Sequence, residues 1–561
     1  MTAPGAEAFP HASRPSSGAF ELDRSEAAVH GPGEADGMQT PDRLCPRRLF
    51  PLPLPAREPE VPRAGRCRAV QRRGQRAAHA GEWVESCVQA LNEMDAGRPV
   101  APSCSGRPSL AQRQALEHLV ASERALGPPP SELTGAGALA ELRAHRGYGA
   151  EHATLAPLDI SALSLPPAGS QPVPLERLLE PLGSQLVEGF IKEALLPREE
   201  ARRRWEEAGL RAAYSDPSLK KPQKYGALLR RLAACNMITY KLRGTPRVGI
   251  FAVWKKEGKQ RLIADARLSN CCFGPSAAVE LATGQALGSL EVDGGGPVCL
   301  GLTDIANAFY FMKLPPALQD YFGLAPVAAG LVGETECEGA AVAPADRLWP
   351  HLNVLPMGWT HALWWCQLVH EAAVSRCCGL GLSTQLRDRA PPPPLDPVVH
   401  AEYVDNFTAL SRSLPAARGA AEAVHAQLEA AGLPTHGVES SVGGDTLGWS
   451  YGRDLATFSP SARRVWRWRY AAQELLRRGW ASPDDVRSVL GHATFMALCR
   501  RELLSCFSAA YAFAQQGGDR PRRLWAGVRR ELRWFGALLA LARRRLDAPW
   551  SPEVSVVDAS L

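Results

Sequence analysis

The chain has 561 residues, 45% of them hydrophobic and 22% charged, with a formal net charge of +6. That length suits two to four domains, and the apolar share is ordinary for a packed globular protein. No apolar run approaches the roughly 18 residues of a membrane helix and no signal peptide is recognisable, so no membrane contact is expected and the expected location is intracellular, in cytoplasm or nucleus.

The 14 cysteines include no CxxC pair. The adjacent pairs Cys271-Cys272 and Cys377-Cys378 suit neither a zinc site nor an ordinary disulfide, so free thiols are expected. Residues 1–80 are rich in Pro, Gly, Ala and Arg without apolar periodicity and read as a disordered basic tail. Residues 81–174 hold helical segments such as WVESCVQALNEM and LAQRQALEHLVASERAL, then a linker, with no assignable role. Helical patterns resume over 175–300 with GSQLVEGFIKEALL and YGALLRRLAACNMI.

The same segment contains VGIFAVWKKEGKQRLIADA, a β-hairpin turning at Gly258. It gathers Lys255, Lys256, Lys259 and Arg261, in a chain whose lysines all lie between Lys192 and Lys313. Such a tip is either a solvated basic hairpin or a polyphosphate clamp, in which Arg261 would grip phosphate oxygens in pairs.

Between Val248 and Tyr451 the pattern is α+β. The run VCLGLTDIANAFYF ends an apolar strand in Asp304, and HAEYVDNFTAL carries Asp405 between two strand patterns. Between them, LPMGWTHALWWCQ reads as a turn followed by a helix, with Gly358 permitting close approach of backbone to a ligand. Two carboxylates on adjacent strand ends suit Mg²⁺, and two ions about 4 Å apart clamp an in-line phosphoryl displacement. Alone, the same two acids also read as ordinary turn aspartates. Residues 457–548 are helical and rich in Arg and Trp, and 549–561 begin a strand.

In order, RLIADARLSN, LTDIANAFYFMKLP, LNVLPMGWTHALWWCQ, YVDN, GLPTHG and LGWSYG resemble the consecutive motifs of a retroelement reverse transcriptase of the LTR or DIRS-like kind. The resemblance covers about 225–451 and continues more weakly through the helical region. It implies a right-hand polymerase of the α+β class: fingers over 175–300, a palm with an antiparallel sheet over 301–456 and a helical thumb or connection over 457–548. The implied activity is RNA-directed DNA polymerisation, with dNTPs added to a primer on an RNA or DNA template. Two Mg²⁺ ions are the implied cofactors, with Mn²⁺ as the alternative.

The resemblance also distributes roles. Asp304 and Asp405 match the catalytic, metal-binding acids, with Ile305 contributing backbone. Lys256 and Arg261 match triphosphate contacts, with Lys255 and Lys259 as alternates if the hairpin register slips. Asn307 falls near the triphosphate. Phe309 matches a steric gate against ribose, or is a core aromatic. Met357 and Gly358 match the turn beside the nascent base pair. Gln367 matches a residue near the template, or is a helix-surface amide. Leu447, Gly448 and Trp449 match the primer grip. His436 matches a general acid for leaving pyrophosphate, or is an ordinary loop histidine. In the thumb, Trp466, Arg467, Trp468, Arg469 and Trp480 match a surface that neutralises duplex phosphates, or belong to a bundle with solvated arginines.

Three departures stand out. Asn406 replaces an expected second acid, which implies weaker Mg²⁺ binding and opens the alternative of a degenerate remnant that only binds nucleic acid. Ala362-Leu363 replaces a small polar residue and Pro. The segment around Asp558 resembles the first strand of an RNase H domain without its remaining acids, so no RNase H activity is expected. An RNA-templated RNA polymerase shares the palm logic, but Phe309 argues against it.

Overall fold

The computed structural model describes residues 49–54, 68–98, 100, 108–144, 155–255 and 258–549. Most of the expected tail, Lys256, and the strand around Asp558 lie outside them. Within the described residues the chain mixes helix and sheet throughout.

The N-terminal region differs from expectation in two places. Helix α1 spans Arg68–Ala96 and so starts inside the expected tail. Leu52 is buried, and both its backbone polar groups bond the Asn92 side chain, at 2.6 and 2.8 Å. Helix α2, Leu110–Leu126, opens on a reciprocal capping box between Ser109 and Gln112, and α3 covers Gly135–Ala144.

Strands β1 (Leu155–Ala156), β2 (Gly249–Trp254) and β3 (Gln260–Asp265) form an antiparallel sheet in that order. The β2–β3 hairpin closes with Lys255 N donating to Lys259 O at 2.8 Å. Gly258 takes φ +71° in the turn, the left-handed region that glycine enters without a Cβ penalty.

A second antiparallel sheet forms from β4 (Cys299–Asp304), β5 (Val398–Tyr403), β6 (Asn406–Ser411) and β7 (Glu439–Val442), in the order β5-β6-β4-β7. Only Val404 and Asp405 separate β5 from β6. Helix α4 (Ala362–Ser375) precedes this hairpin, and α5 (Leu414–Ala430) follows it. At Gly301 an added Cβ would lie 2.0 Å from the Ala417 carbonyl oxygen, so β4 packs directly on α5. On the opposite face Leu300, Val399, Ala401 and Leu410 enter a second core. With both faces covered, the strands read as apolar runs and not as clean alternation.

A third antiparallel sheet contains β8 (Gly444–Thr446), β9 (Trp449–Tyr451), β10 (Thr457–Pro460) and β11 (Arg544–Arg545). The C-terminal helices include α6 (Ala462–Arg478), α7 (Pro483–Ala497) and α8 (Ala526–Leu538). The N-terminal helices pack on them. Trp83 meets Trp466 edge-on at 5.0 Å and donates its indole N–H to Ala537 O at 2.9 Å. The Arg469 guanidinium lies 3.8 Å over Trp83, Arg467 pairs with Glu141 at 3.2 Å, and Arg143 pairs with Asp485.

These contacts correct the expected duplex-gripping surface. Trp466 and Trp468 are buried, and Arg467 and Arg469 are spent on N-terminal partners. Of that group Trp480 alone is openly exposed, at 56%. Helices α1 to α3, in a region that carries no role by sequence, pack on the C-terminal helices.

Among the described residues no helix is long and apolar enough to cross a membrane. The described cysteines are free thiols.

Two buried histidines give the fold a pH dependence. His361 sits among Phe190, Phe273 and Trp359, with ring centroids 5.0 to 5.7 Å away, and His351 is equally buried. Burial pushes both imidazoles below their ordinary pKa. The unfolded chain then binds more protons as pH falls through about 6.5, so stability falls with it. The melting temperature is expected to be lower at pH 5.5 than at pH 7.5, with His361→Phe reducing the difference; an unchanged or higher value at pH 5.5 refutes this.

Candidate active site

Asp304 is the last residue of β4, and Asp405 is the second residue of the β5–β6 turn. Register brings them side by side: Asn406 pairs with Asp304, and Ile305 N donates to Asp405 O at 2.9 Å. The loop after α5 braces the same end of the sheet. Ala306 N donates to Pro434 O at 2.7 Å and His436 N to Asp304 O at 3.0 Å. The His436 ring reaches the site as well, its Nε2 4.0 Å from Asp304 Oδ2.

One further acid lies nearby. Glu439 on β7 is in register with Leu302, and alternation along a strand places Leu302 on the same face as Asp304. Burial pushes the Asp304 carboxyl above the usual carboxylate range; His436 opposes this, and the charges of Asp405 and Glu439 add to it. Glu439 went unread in the sequence because an acid on an exposed edge strand gains meaning only once its register is known.

The donor set at Asp304 and Asp405 is carboxylate oxygen, which suits a hard divalent cation. Like charges crowded at one sheet end are what such a cation relieves. Among the described residues, no three His, Cys, Asp or Glu side chains are grouped to hold a metal by themselves. The residues therefore fit a cation that takes its remaining ligands from backbone, water and substrate phosphates, the habit of Mg²⁺. The Ile305 side chain is buried and apolar, so it has only backbone to offer. Asn406 turns its amide nitrogen to Asp405 Oδ1 at 2.9 Å, which engages one carboxylate oxygen.

The basic hairpin faces this pair. Lys255 Nζ donates to Ser164 Oγ at 3.3 Å, and Ser164 Oγ donates to Asn307 Oδ1 at 3.5 Å. Burial and the charges of Arg261 and Lys259 pull the Lys255 ammonium below its ordinary pKa, while Asp405 and Asp304 oppose the shift. Among the described residues Lys255, one of the alternates, thus lies within the field of both acids. Arg261 is exposed on β3 opposite Val253. Ser164 belongs to the stretch that sequence left unassigned; it is held along the hairpin by Ser164 N donating to Gln260 O at 2.8 Å.

Asn307 takes φ +53° at the start of the one-turn helix Ala308–Phe311, a conformation asparagine tolerates better than most residues. Phe309 is half-buried against the core. Met357 O accepts from Ala264 N at 2.9 Å, and its sulfur accepts from Tyr310 Oη at 3.4 Å. The close approach at Gly358 is to the protein's own backbone. With φ +134°, an added Cβ would lie 2.0 Å from the Ala264 carbonyl oxygen on β3. Asn270 seals the turn, donating to Gly358 O and accepting from Thr360 N, both at 3.1 Å.

One expectation is corrected by burial. Gln367 is neither at a template surface nor on an exposed helix face: it is 3% exposed and accepts from Val404 N at 2.8 Å, beneath the turn that presents Asp405. Trp449, matched to the primer grip, packs in the interior. It is 1% exposed, stacked on Phe458 and Phe495 at 4.9 and 4.8 Å. Leu447 and Gly448, at φ +51° and +83°, form the two-residue loop between β8 and β9, with the paired positive φ of a type I′ hairpin.

No family model matches the chain, and no curated protein matches it. Among solved structures it is similar to the foamy viral protease-reverse transcriptase. Its dRH form, in complex with double-stranded DNA, aligns with 70% of this chain at 14% identity and a TM-score of 0.41. The chain spans 64% of that protein's length. The same viral protein with an RNA/DNA hybrid aligns with 64% of this chain and 46% of its own at 13% identity and TM-score 0.38; with double-stranded DNA the figures are 66%, 73%, 13% and 0.39.

Proposed function

We propose that the chain is an RNA-directed DNA polymerase of a retrotransposon, with the three sheets and helical bodies serving as fingers, palm and thumb. The observation that carries this reading is the convergence of Asp304, Asp405 and the Lys255–Arg261 hairpin on one end of an antiparallel sheet. In this reading Asp304 and Asp405 hold the divalent cations, which supply Lewis-acid charge to the triphosphate and the primer 3′-hydroxyl. Lys255 and Arg261 receive the β- and γ-phosphates, and Phe309 closes the space a ribose 2′-hydroxyl would need. In the same reading His436, whose ring lies 4.0 Å from Asp304, gives a proton to the leaving pyrophosphate. Most of the catalysis is then positioning and charge stabilisation. The partners are a primer on an RNA or DNA template, and dNTPs.

The test is extension of a DNA primer on an RNA template with Mg²⁺ and either dNTPs or NTPs. Product from dNTPs alone, with NTP use appearing in Phe309→Ala, supports the reading; no product in Mg²⁺ or Mn²⁺ refutes it. Lys255→Met is expected to raise the dNTP KM on the order of tenfold, the worth of one hydrogen bond to a charged group, with primer–template affinity unchanged. An unchanged KM removes Lys255 from the triphosphate site.

One observation favours the second reading, a remnant that binds nucleic acid without turnover: the Asn406 amide occupies an oxygen of Asp405 where an acid would add charge. Asn406→Asp separates the two. If wild type is inert and the variant active, degeneration is the better account.

A further inference from the structure

We propose that Gln367 and His370 form a buried clamp that holds Val404 in the left-handed backbone region and thereby positions Asp405. The inference deepens the polymerase reading, because it concerns how one of its acids is presented.

Val404 has φ +59°. For a β-branched residue this is a genuine outlier, and it persists only when the surroundings hold it. The surroundings do so at both backbone polar groups. Val404 N donates to Gln367 Oε1 at 2.8 Å, and Val404 O faces His370 Nδ1 at 3.0 Å. The carbonyl can only accept, so His370 Nδ1 carries the proton. Gln367 and His370 stand three residues apart on α4, the spacing that puts two side chains on one helix face. They are 3% and 0% exposed.

The clamp is itself fixed. Gln367 Nε2 donates to Glu371 Oε1 at 2.8 Å and to Glu402 O at 3.2 Å. The Glu402 carboxylate, also buried, is held by Gln385 Nε2 at 2.6 Å and by His400 Nδ1 at 2.7 Å. His400 Nε2 in turn reaches Gly381 O at 3.2 Å. A rigid polar layer thus lies under the turn, where apolar packing alone would keep the helix and sheet together. It has a cost: His370 Nε2 is buried with no partner among the described residues, and an unsatisfied buried polar atom is unfavourable. His370 is a positioning residue in this account, since it reaches Asp405 only through Val404.

The test is a double-mutant cycle between positions 370 and 404, read in two ways. His370→Leu keeps bulk but removes the nearer donor, leaving Val404 O only the weak Cys366 thiol at 3.7 Å. It is expected to lower primer-extension turnover about tenfold, one lost hydrogen bond's worth, with the primer–template KM within about twofold. Adding Val404→Gly is expected to recover most of that loss, because glycine adopts positive φ unaided. His370→Asn, whose amide can donate to the same carbonyl, is expected to retain more activity than His370→Leu. In thermal unfolding, His370→Leu should cost less in the Val404→Gly background than in wild type. Additive effects in both readouts overturn the clamp. If wild type extends no primer, the polymerase reading fails, and the thermal cycle alone decides the clamp: non-additive supports it, additive overturns it.

Discussion

Asp304→Asn and Asp405→Asn are each expected to lower primer extension on the order of 10³-fold or more, with cooperative unfolding retained. A carboxylate that fixes a catalytic cation supports several kcal/mol of transition-state charge stabilisation, and each 1.4 kcal/mol is tenfold in rate. Retained folding follows from position. Asp304 is at a strand end with its side chain 41% exposed, and Asp405 holds its neighbours through its backbone carbonyl, bonded to Ile305 N, which asparagine keeps. The aspartate-to-asparagine change preserves shape and removes charge. Asn406→Asp runs the other way: it removes the amide that engages Asp405 Oδ1 and adds a charge, so tighter Mg²⁺ binding is expected. Extension by either single acid variant at wild-type rate refutes the assignment.

Gly358→Ala is expected to destabilise the fold by on the order of 3 kcal/mol or more, the range reserved for backbone clashes and strained φ. Two independent causes act together: the backbone is at φ +134°, which L side chains rarely adopt, and the new methyl would lie 2.0 Å from the Ala264 carbonyl oxygen. Neither relaxes cheaply, because Ala264 N is bonded to Met357 O in the same contact. Relief would pull the turn off β3, and Asn270 would lose its two bonds across it. Urea unfolding of Gly358→Ala beside Gly381→Ala, which has open space for a Cβ, measures this; similar midpoints for the two contradict it.

Legibility in the sequence followed the range of the interactions. The β2–β3 hairpin and the strand–acid–turn patterns at Asp304 and Asp405 were readable, since apolar runs, a turn glycine and cations at the tip are local signals. That the two acids meet depends on strand order, and it entered through the order of the motifs and not through any single one. Gln367 was set near a template by the motif resemblance, which does not say what its helix face covers; only the fold puts Val404 above it. Trp466 and Arg467 were read as a nucleic-acid surface because an Arg- and Trp-rich helix looks solvated when its partners are remote. Those partners, Trp83 and Glu141, lie more than 300 positions earlier. Helical periodicity in residues 81–144 was visible, but helices that complete a distant bundle carry no local sign of it.

The most direct test of the account is Mn²⁺ binding followed by electron paramagnetic resonance, in wild type and in the Asp304→Asn/Asp405→Asn double variant, with primer–template and dNTP present. The account predicts that wild type depletes the free Mn²⁺ signal, that Mg²⁺ competes it back, and that the double variant leaves it unchanged. Equal depletion by both proteins, or none by wild type, would contradict the claim that these two carboxylates hold the cations of a nucleotidyl-transfer site.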